Sequence, residues 1–583
     1  KMKHYKHSTQ ETNVLVIGCG GAGLRAAIEI KFQGLDVRIL GKRPKNDAHT
    51  VLAAGGINAA FGNVDPQDSW KQHFIDTYLE GYGIGDPIQI EIMAKESPHY
   101  VKEIDDWGAN FKKLENNKLD QRYFGAHKYR RTCYSGDYTG QSILNALLKK
   151  AKILNIPIHD KQYVYEILVE DDTCFGAMSF NTITGERTAH YCDSLILCTG
   201  GHTRIWKNSS SRKEENTGDG YHLGLKAGCE LSDMEMVQFH PTGMVLPEEL
   251  AGTLVTEAVR GEGGILLNSL GERFMEKYDA ERLELSTRDK VAMANYLEIV
   301  EGRGTSNGAV LLDISHKNKD FIVEKIPKIY RQFIENALID ISKSPMEVSP
   351  TAHYSMGGLR VNPNDHSTKI SGLFAAGEVA SGLHGANRLG GNSLAEILVF
   401  GAHAGNAASK YSKSLSSQKR SKKTIFKAHE YLNASITKGD ENVIFIKHEL
   451  RKIMWTDCGV IRDEKNLQKG LNKLKDLEKL LGNIDVRLDF NNQKDLVNKL
   501  DFHSSIITAK ATIYSAIERK ESRGAHQRSD FKICNKKKFN VLVSLKNNEF
   551  QIFKKDVEKL NLELNLLINK SNKVEESSMK LLE

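Results

Sequence analysis

No Cys-x-x-Cys pair occurs among the eight cysteines of this 583-residue chain (Cys19, Cys133, Cys174, Cys192, Cys198, Cys229, Cys458 and Cys534). Structural zinc and chain-borne iron-sulfur clusters draw their thiolates from such pairs, so no metal site is expected. Scattered cysteines without a secretory signal point to a reducing compartment. No stretch approaches the length of a membrane span, and the opening Lys1 to Gln10 has no apolar core of signal-peptide length. Membrane association is therefore expected only through partners. Strong charge of one sign is missing as well. Lys+Arg 81 against Asp+Glu 74 leaves +7, much of it in two late Lys-rich stretches, which reads as solvating surface and argues against nucleic-acid binding. No internal repeat is present, and the length calls for two to four domains.

What is present starts with Val14-Leu-Val-Ile-Gly18-Cys-Gly20-Gly-Ala-Gly23, an apolar strand entering Gly-x-Gly-x-x-Gly and an Ala-rich helix. Glycines there let the chain turn tightly and let a pyrophosphate approach the helix N-terminus. The second strand, Asp36 to Leu40, is followed by Gly41-Lys42 where a ribose-binding acid is usual, which disfavours a simple NAD enzyme. Soon after comes Ala48-His49-Thr50, leading into Ala53-Ala54-Gly55-Gly56. Small residues let backbone lie against a flat ring, and a neutral imidazole is a competent nucleophile towards an activated ring methyl.

Further along, helical periodicity covers Pro87 to Trp107 and Gly140 to Leu154. Tyr163 to Val169, Cys174 to Phe180 and Arg187 to Cys192 read as a β-meander, followed by a separate buried strand from Ser194 to Gly201. Asp219 opens a helix. From His240 to His353 the pattern changes and reads as an insertion. The glycine-rich pattern resumes at Gly357-Gly358 and at Ser371 to Glu378, so a substrate site is expected at the junction. Lys410 to Lys427 reads as a linker. His429 to Met454, Leu467 to Leu481 and Phe502 to Lys520 have amphipathic helical spacing, and the tail shows a hairpin around Lys546-Asn-Asn-Glu549 and then a helix.

Four separated segments each hold one cationic or proton-bearing residue among small neighbours: Phe239-His240-Pro-Thr-Gly, Ser286-Thr-Arg288-Asp, Pro350-Thr-Ala-His353-Tyr and Gly385-Ala-Asn-Arg388-Leu-Gly-Gly. With the His49 segment, they resemble the flavoprotein subunit of succinate dehydrogenase and fumarate reductase, motif by motif from Asn13 to Asp530. The resemblance implies an α/β fold, with a Rossmann-like FAD-binding domain (11–239 and 354–409), an inserted α+β capping domain (240–353), a C-terminal helical domain (428–530) and a tail (531–583). It implies FAD joined to His49. Other cofactor contacts are expected from Gly18, Gly20, Gly21, Ala22, Gly23, Lys42, Thr50, Ala54, Gly55, Gly56, Asp219, Glu378, Ser393 and Leu394. Succinate or fumarate would be held by His240, Thr256, His353, Arg388 and Phe124, because a dianion in a water-poor pocket needs donors at both ends and Arg grips a carboxylate bidentately. Arg288 is expected to transfer the proton, fed through Glu257 and Arg260; the competing reading makes Glu257 and Arg260 a helical ion pair.

The same resemblance implies an iron-sulfur partner, a membrane anchor and, indirectly, quinone, with the chain cytoplasmic and peripheral on the inner face of a bacterial membrane. The charge density of Arg519 to Asp530 is open to the bland reading of a solvated face; in that family the segment lies near the flavin-domain surface. L-aspartate oxidase is the alternative within the fold, and Gly125 to Arg131 has some of its flavour. Oxidases of that kind lack the flavin-linking His and carry an acid where this chain reads Arg122-Tyr-Phe124-Gly125. A non-catalytic flavin protein would have lost a catalytic residue, and none of Arg288, His240, His353, Arg388 or Glu257 is missing. Ala54 departs from the Gln or Glu usual beside the flavin, which leaves the physiological direction open.

Overall fold

The computed structural model describes residues 4–136, 138–489 and 492–571. A seven-stranded sheet underlies the first glycine motif. Its strand Ser8–Ile17 runs parallel to both neighbours, Val37–Leu40 and Arg187–Leu197. Val14, Leu15 and Val16 are fully buried, as expected of a parallel strand covered on both faces. Helix Gly21–Phe32 packs against the long helix Asn392–Ser414 through Gly401 and Gly405. A Cβ on Gly405 would lie 2.6 Å from the Ala26 carbonyl oxygen, so the approach depends on the missing side chain.

The last strand of the expected meander and the separate strand after it are one strand. Arg187–Leu197 pairs antiparallel with Thr173–Asn181 in its first half and parallel with Leu373–Ala375 in its second. Asp193 lies between the two expected strands. Its carboxylate accepts hydrogen bonds from Asn13 and Ser412, which lets the strand continue through it.

Strands Val237–Met244, Ile265–Leu267, Val310–Asp313 and Met346–Ser355 form a second, antiparallel sheet with its own apolar cluster, including Met244, Val255, Leu266, Phe274 and Val348. The first and last of these strands pair directly, with His240 opposite Thr351. Before the tail, the helices Lys422–Ser435, Val443–Asp457, Glu464–Glu478 and Lys494–Glu518 follow the long one. The segment His429 to Met454 is therefore two helices and not one. Asn442 starts the second by accepting the amides of Ile444 and Phe445. The Ser/Lys-rich stretch is a connection only over 415–421, because 410–414 finish helix Asn392–Ser414 and Ser421 caps the next.

The tail hairpin is present as Phe539–Lys546 and Glu549–Asp556, with Asn547 and Asn548 at φ +50° and +63° in a two-residue turn. Its first strand joins Leu231–Ser232, stitching the tail to the nucleotide-binding part. Helix Leu562–Lys570 follows, and 572–583 lie outside the described residues. Among the described residues, no helix is long and apolar enough to cross a membrane.

The charge-dense segment is not a solvated face. Arg519, Glu521, Arg523, His526 and Arg528 are fully buried. Arg519 pairs with Asp233 at 3.0 Å, Glu235 at 2.5 Å and Glu521 at 2.8 Å. Charge density alone misleads because two of these partners come from a distant part of the chain. Arg519→Ala is expected to cost about 3–5 kcal/mol, since it strands buried carboxylates. A melting temperature equal to that of the unaltered protein would show the network to be dispensable.

Candidate active site

The three glycines of the first motif do three different jobs. Gly18 turns the chain at φ +113°, and a Cβ placed on it would clash at 2.0 Å with the Cys198 carbonyl oxygen. Gly23 lets the helix sit on the strand, its Cβ position being 2.0 Å from the Gly18 carbonyl oxygen. Gly20 alone faces open space: a Cβ there would meet only Thr50 Oγ1 at 3.4 Å and Ala48 Cβ at 4.0 Å. That is the cradle a cofactor pyrophosphate needs, so the residues fit a dinucleotide. Thr50 closes its side by accepting the Gly21 amide at 3.0 Å.

The other expected cofactor residues have the following partners. Lys42 Nζ lies 2.6 Å from Asp501 and 3.9 Å from Asp219. Burial opposes its charge, yet the two carboxylates hold its pKa above the ordinary lysine value. Burial raises the Asp219 and Glu378 carboxyls, and Glu378 accepts the Ser355 amide at 3.1 Å. Helix Asn392–Ser414, carrying Ser393 and Leu394, begins after Gly391 at φ +88°, and no side chain caps its first amides. An uncapped N-terminus of this kind presents donors to a ligand.

Gly55 and Gly56 are small for a reason different from the one expected. A Cβ on Gly55 would strike the Phe124 ring at 2.3 Å, and Gly56, at φ +135°, abuts Thr132 and Cys133. Both glycines are spent on packing against protein, next to Ala54. Phe124 is sandwiched between Gly55 and Gly390, and the Arg288 guanidinium lies 5.9 Å from its ring centre.

The four separated segments meet. The His240 and His353 rings are 5.7 Å apart, edge to face. His240 Nδ1 accepts the Thr242 amide at 3.2 Å, which leaves the proton of the neutral ring on Nε2. Burial, with Arg288 beside it, holds His240 well below the ordinary imidazole pKa; burial, Arg388 and Arg288 do the same to His353. Both rings are therefore neutral donors at physiological pH. Burial also pushes Arg388 down to about 10. Its guanidinium lies 4.4 Å from the Tyr354 ring centre and donates to Gln238 Oε1 at 3.0 Å, while its Nε has no partner among the described residues.

Arg288 donates to Glu257 at 3.1 and 3.3 Å. Burial works to raise the Glu257 carboxyl, but Arg288 and Arg260 bring it below its ordinary value. Arg260 is buried and pushed down to about 10 by that burial; it donates to the Glu284 carbonyl at 2.9 Å, and its Nε and one Nη are unpartnered among the described residues. Glu257 thus bonds across elements to Arg288 and makes no hydrogen bond to Arg260, so the helical ion pair is not formed. Thr256 Oγ1 accepts the Ala258 amide at 3.4 Å, at the start of the short helix Ala258–Gly261.

Several supporting residues escape sequence reasoning. Gln238 holds Arg388 at both ends, donating Nε2 to the Arg388 carbonyl at 3.1 Å; its i,i+2 spacing from His240 on a strand is the available signal. Ser210 Oγ is 2.9 Å from His353 Nδ1, and Glu215 is 3.0 Å from His49 Nδ1; neither has any signal in sequence. Asn387 donates to Glu80 at 2.9 Å and to Asp289 at 3.0 Å, tying the Arg388 turn to the helix that carries Arg288. Asn387→Asp would place a third carboxylate there. An about tenfold lower kcat/KM is expected from losing 1–2 kcal/mol of bonding, and steady-state kinetics of that variant check it. Of the oxidase-flavoured segment, Arg131 is buried between Asp68 and Asp76, and His127 anchors to the Gly390 carbonyl, so both serve structure.

Comparison with known proteins identifies the family. A family model described as FAD binding domain matches residues 13–394, and one described as fumarate reductase flavoprotein C-term matches 447–570. One subunit of the fumarate reductase (CoM/CoB) of Methanothermobacter marburgensis is 44% identical over 522 residues, covering 89% of this chain and 94% of its own length. The succinate dehydrogenase flavoprotein subunit of Rickettsia bellii is 34% identical over 565 residues, 92% and 93% of the two chains. The solved Mycobacterium smegmatis Sdh1 in complex with UQ1 superposes with a TM-score of 0.89 at 36% identity, with 95% of each chain covered. With its dinucleotide cradle and its cluster of neutral histidines and arginines, the chain belongs to the FAD-dependent flavoprotein-subunit family of succinate dehydrogenase and fumarate reductase.

Proposed function

We propose that the chain interconverts succinate and fumarate, with Arg288 as the proton-transfer residue and FAD carried covalently on His49. The observation that carries this reading is the convergence of His240, His353, Arg288 and Arg388, with Glu257 already engaged by Arg288. Such a pocket suits a dianion. Arg388, fixed by Gln238 and Tyr354, clamps one carboxylate, while the neutral His240 and His353 donate hydrogen bonds to the substrate without repelling the nearby arginines. Phe124 and Thr256 complete the binding wall. FAD, when bound, supplies the hydride acceptor and donor. Arg288 holds the proton at its guanidinium, and Glu257 beside it stabilises that charge and relays protons to it from the side of Arg260. Cysteine pairs for clusters are absent from the sequence, so the electrons leave through an iron-sulfur partner, held with a membrane anchor at the cytoplasmic face and exchanging with quinone.

A second reading concerns direction. The identity is greater to the relative named fumarate reductase (CoM/CoB) than to the one named succinate dehydrogenase, which favours fumarate reduction. Aspartate oxidation is disfavoured, because Arg122 is turned onto the Gly55 carbonyl and Asp120 is engaged by Tyr134 at 2.6 Å, so no acid of that loop is presented to an amino group. Anaerobic titration of the purified flavoprotein tests the proposal. Succinate is expected to bleach the flavin and L-aspartate to leave it unchanged, and the dithionite-reduced protein is expected to be reoxidised by fumarate. Bleaching by aspartate alone would remove the succinate–fumarate reading in favour of amino-acid oxidation.

A further inference from the structure

We propose that Glu215 is the positioning residue for attachment of FAD to His49, holding the imidazole proton on Nδ1 so that Nε2 is the nucleophile. The proposal rests on the covalent reading above and identifies what would make this histidine reactive.

Glu215 Oε1 lies 3.0 Å from His49 Nδ1. The carboxylate is buried and is itself fixed, accepting the Arg212 backbone amide at 2.7 Å and the Arg212 side chain at 3.1–3.3 Å. The same guanidinium bonds to the Asp47 carboxylate and, at 2.8 Å, to the Asp47 carbonyl. Arg43 also holds the Asp47 carboxylate. Arg212 thus clamps both ends of the pair, the carboxylate at one side and the base of the turn that carries His49 at the other. Among the described residues, His49 Nε2 makes no hydrogen bond. A surface ion pair would not be built this way. A buried, doubly anchored carboxylate on one ring nitrogen is how proteins set the tautomer and basicity of the other.

The attachment step then balances. One C–H bond of the ring 8α-methyl breaks and the Nε2–C8α bond forms; the imidazolium then sheds its Nδ1 proton, and the ring system takes up the two electrons with two protons, one from the methyl group and one equivalent to the proton lost by the imidazole. Fumarate, the oxidised partner of the proposed reaction, removes those electrons and protons and leaves as succinate. Glu215 faces the positive charge that the imidazole acquires while the new bond forms.

The pair also sets a pH signature. Glu215 and Arg212 face His49 from the loop before helix Asp219–Ala227, Glu378 from the turn after strand Leu373–Ala375, and His353 from strand Met346–Ser355. Burial lowers the His49 pKa, but Glu215 and Glu378 outweigh it and raise the value above that of an ordinary imidazole. Only the ring with an unprotonated Nε2 reacts, so attachment should speed up as pH rises through that raised value. In Glu215→Gln, burial and Arg212 are less opposed, and the acid limb should move to lower pH while the maximal rate falls.

The test incubates the full-length apoprotein with FAD and fumarate between pH 5.5 and 8.5. Chain-bound flavin is read by in-gel fluorescence after denaturation, and total flavin by absorbance of the native protein. Glu215→Gln is expected to bind as much FAD as the unaltered chain but to attach it on the order of tenfold more slowly, with the acid limb displaced downward; Glu215→Asp should recover part of the rate. Attachment by Glu215→Gln at the unaltered rate with an unmoved limb would overturn the role of Glu215 and leave the covalent reading intact. Equal loss of total FAD in both variants would reduce Glu215 to a structural residue and overturn the proposal. Absence of chain-bound flavin in the unaltered protein would remove the covalent reading and this inference together.

Discussion

Arg288→Lys is expected to lose turnover by roughly a thousandfold, the scale of a removed general acid or base, while FAD content and dicarboxylate binding change little. The reason lies in geometry. Arg288 reaches Glu257 with Nε and one Nη at 3.3 and 3.1 Å, so the guanidinium is held in one orientation by a two-point contact that a lysine ammonium cannot reproduce. The neighbouring charges are arranged around it: Arg260 is pushed down to about 10, and Arg388 likewise, by burial. A displaced ammonium would leave Glu257 partly uncompensated and the proton off the line to substrate. Because His240, His353 and Arg388 are untouched, KM should move far less than kcat. Stopped-flow reduction by succinate, with flavin occupancy measured on the same sample, checks this. Retention of even a tenth of the unaltered turnover would take the proton-transfer role away from Arg288.

Acidification is expected to unfold the protein near pH 5. Burial lowers His190 and His366 to about 4 and His202 to about 3. A base depressed in the folded state binds more protons when unfolded, so its stabilisation is intact above the ordinary histidine value and is lost as pH falls below it. At pH 5 each of these three costs about 2 kcal/mol. Glu235, raised to about 7 by burial, works in the opposite sense and offsets about one of them. Burial also raises Asp219, Asp233 and Glu378, whereas His73, His222, His240, His353 and His526 are held well below their ordinary value by burial and add to the loss. The net is several kcal/mol out of a typical total of about 5–15. Circular dichroism from pH 8 to pH 4 should show cooperative unfolding near pH 5. A melting temperature flat down to pH 4.5 would contradict it.

The nucleotide-binding unit was legible because its signal is local: a strand, three glycines and a helix in unbroken order. The four short segments were legible for a similar reason, each being a cluster of small residues around one polar side chain. Boundaries drawn from composition were less secure. Asp193 did not end its strand, since Asn13 and Ser412 reach it from elsewhere. The Arg519 to Asp530 segment was open to a reading as surface because charge seldom survives burial without partners, and those partners, Asp233 and Glu235, stand in a different part of the chain.

By itself, then, the sequence determined the dinucleotide-binding unit and, through its resemblance to a known family, named the histidines and arginines in which to look for the chemistry. The tertiary structure decided how those groups are held. It set Gln238 against Arg388, Asn387 between Glu80 and Asp289, and Glu215 against His49. Periodicity and motifs report the path of the chain over a few residues. The pKa, tautomer and orientation of a side chain depend on charges and hydrogen bonds within a few ångströms in space, and most of those come from residues far away in sequence.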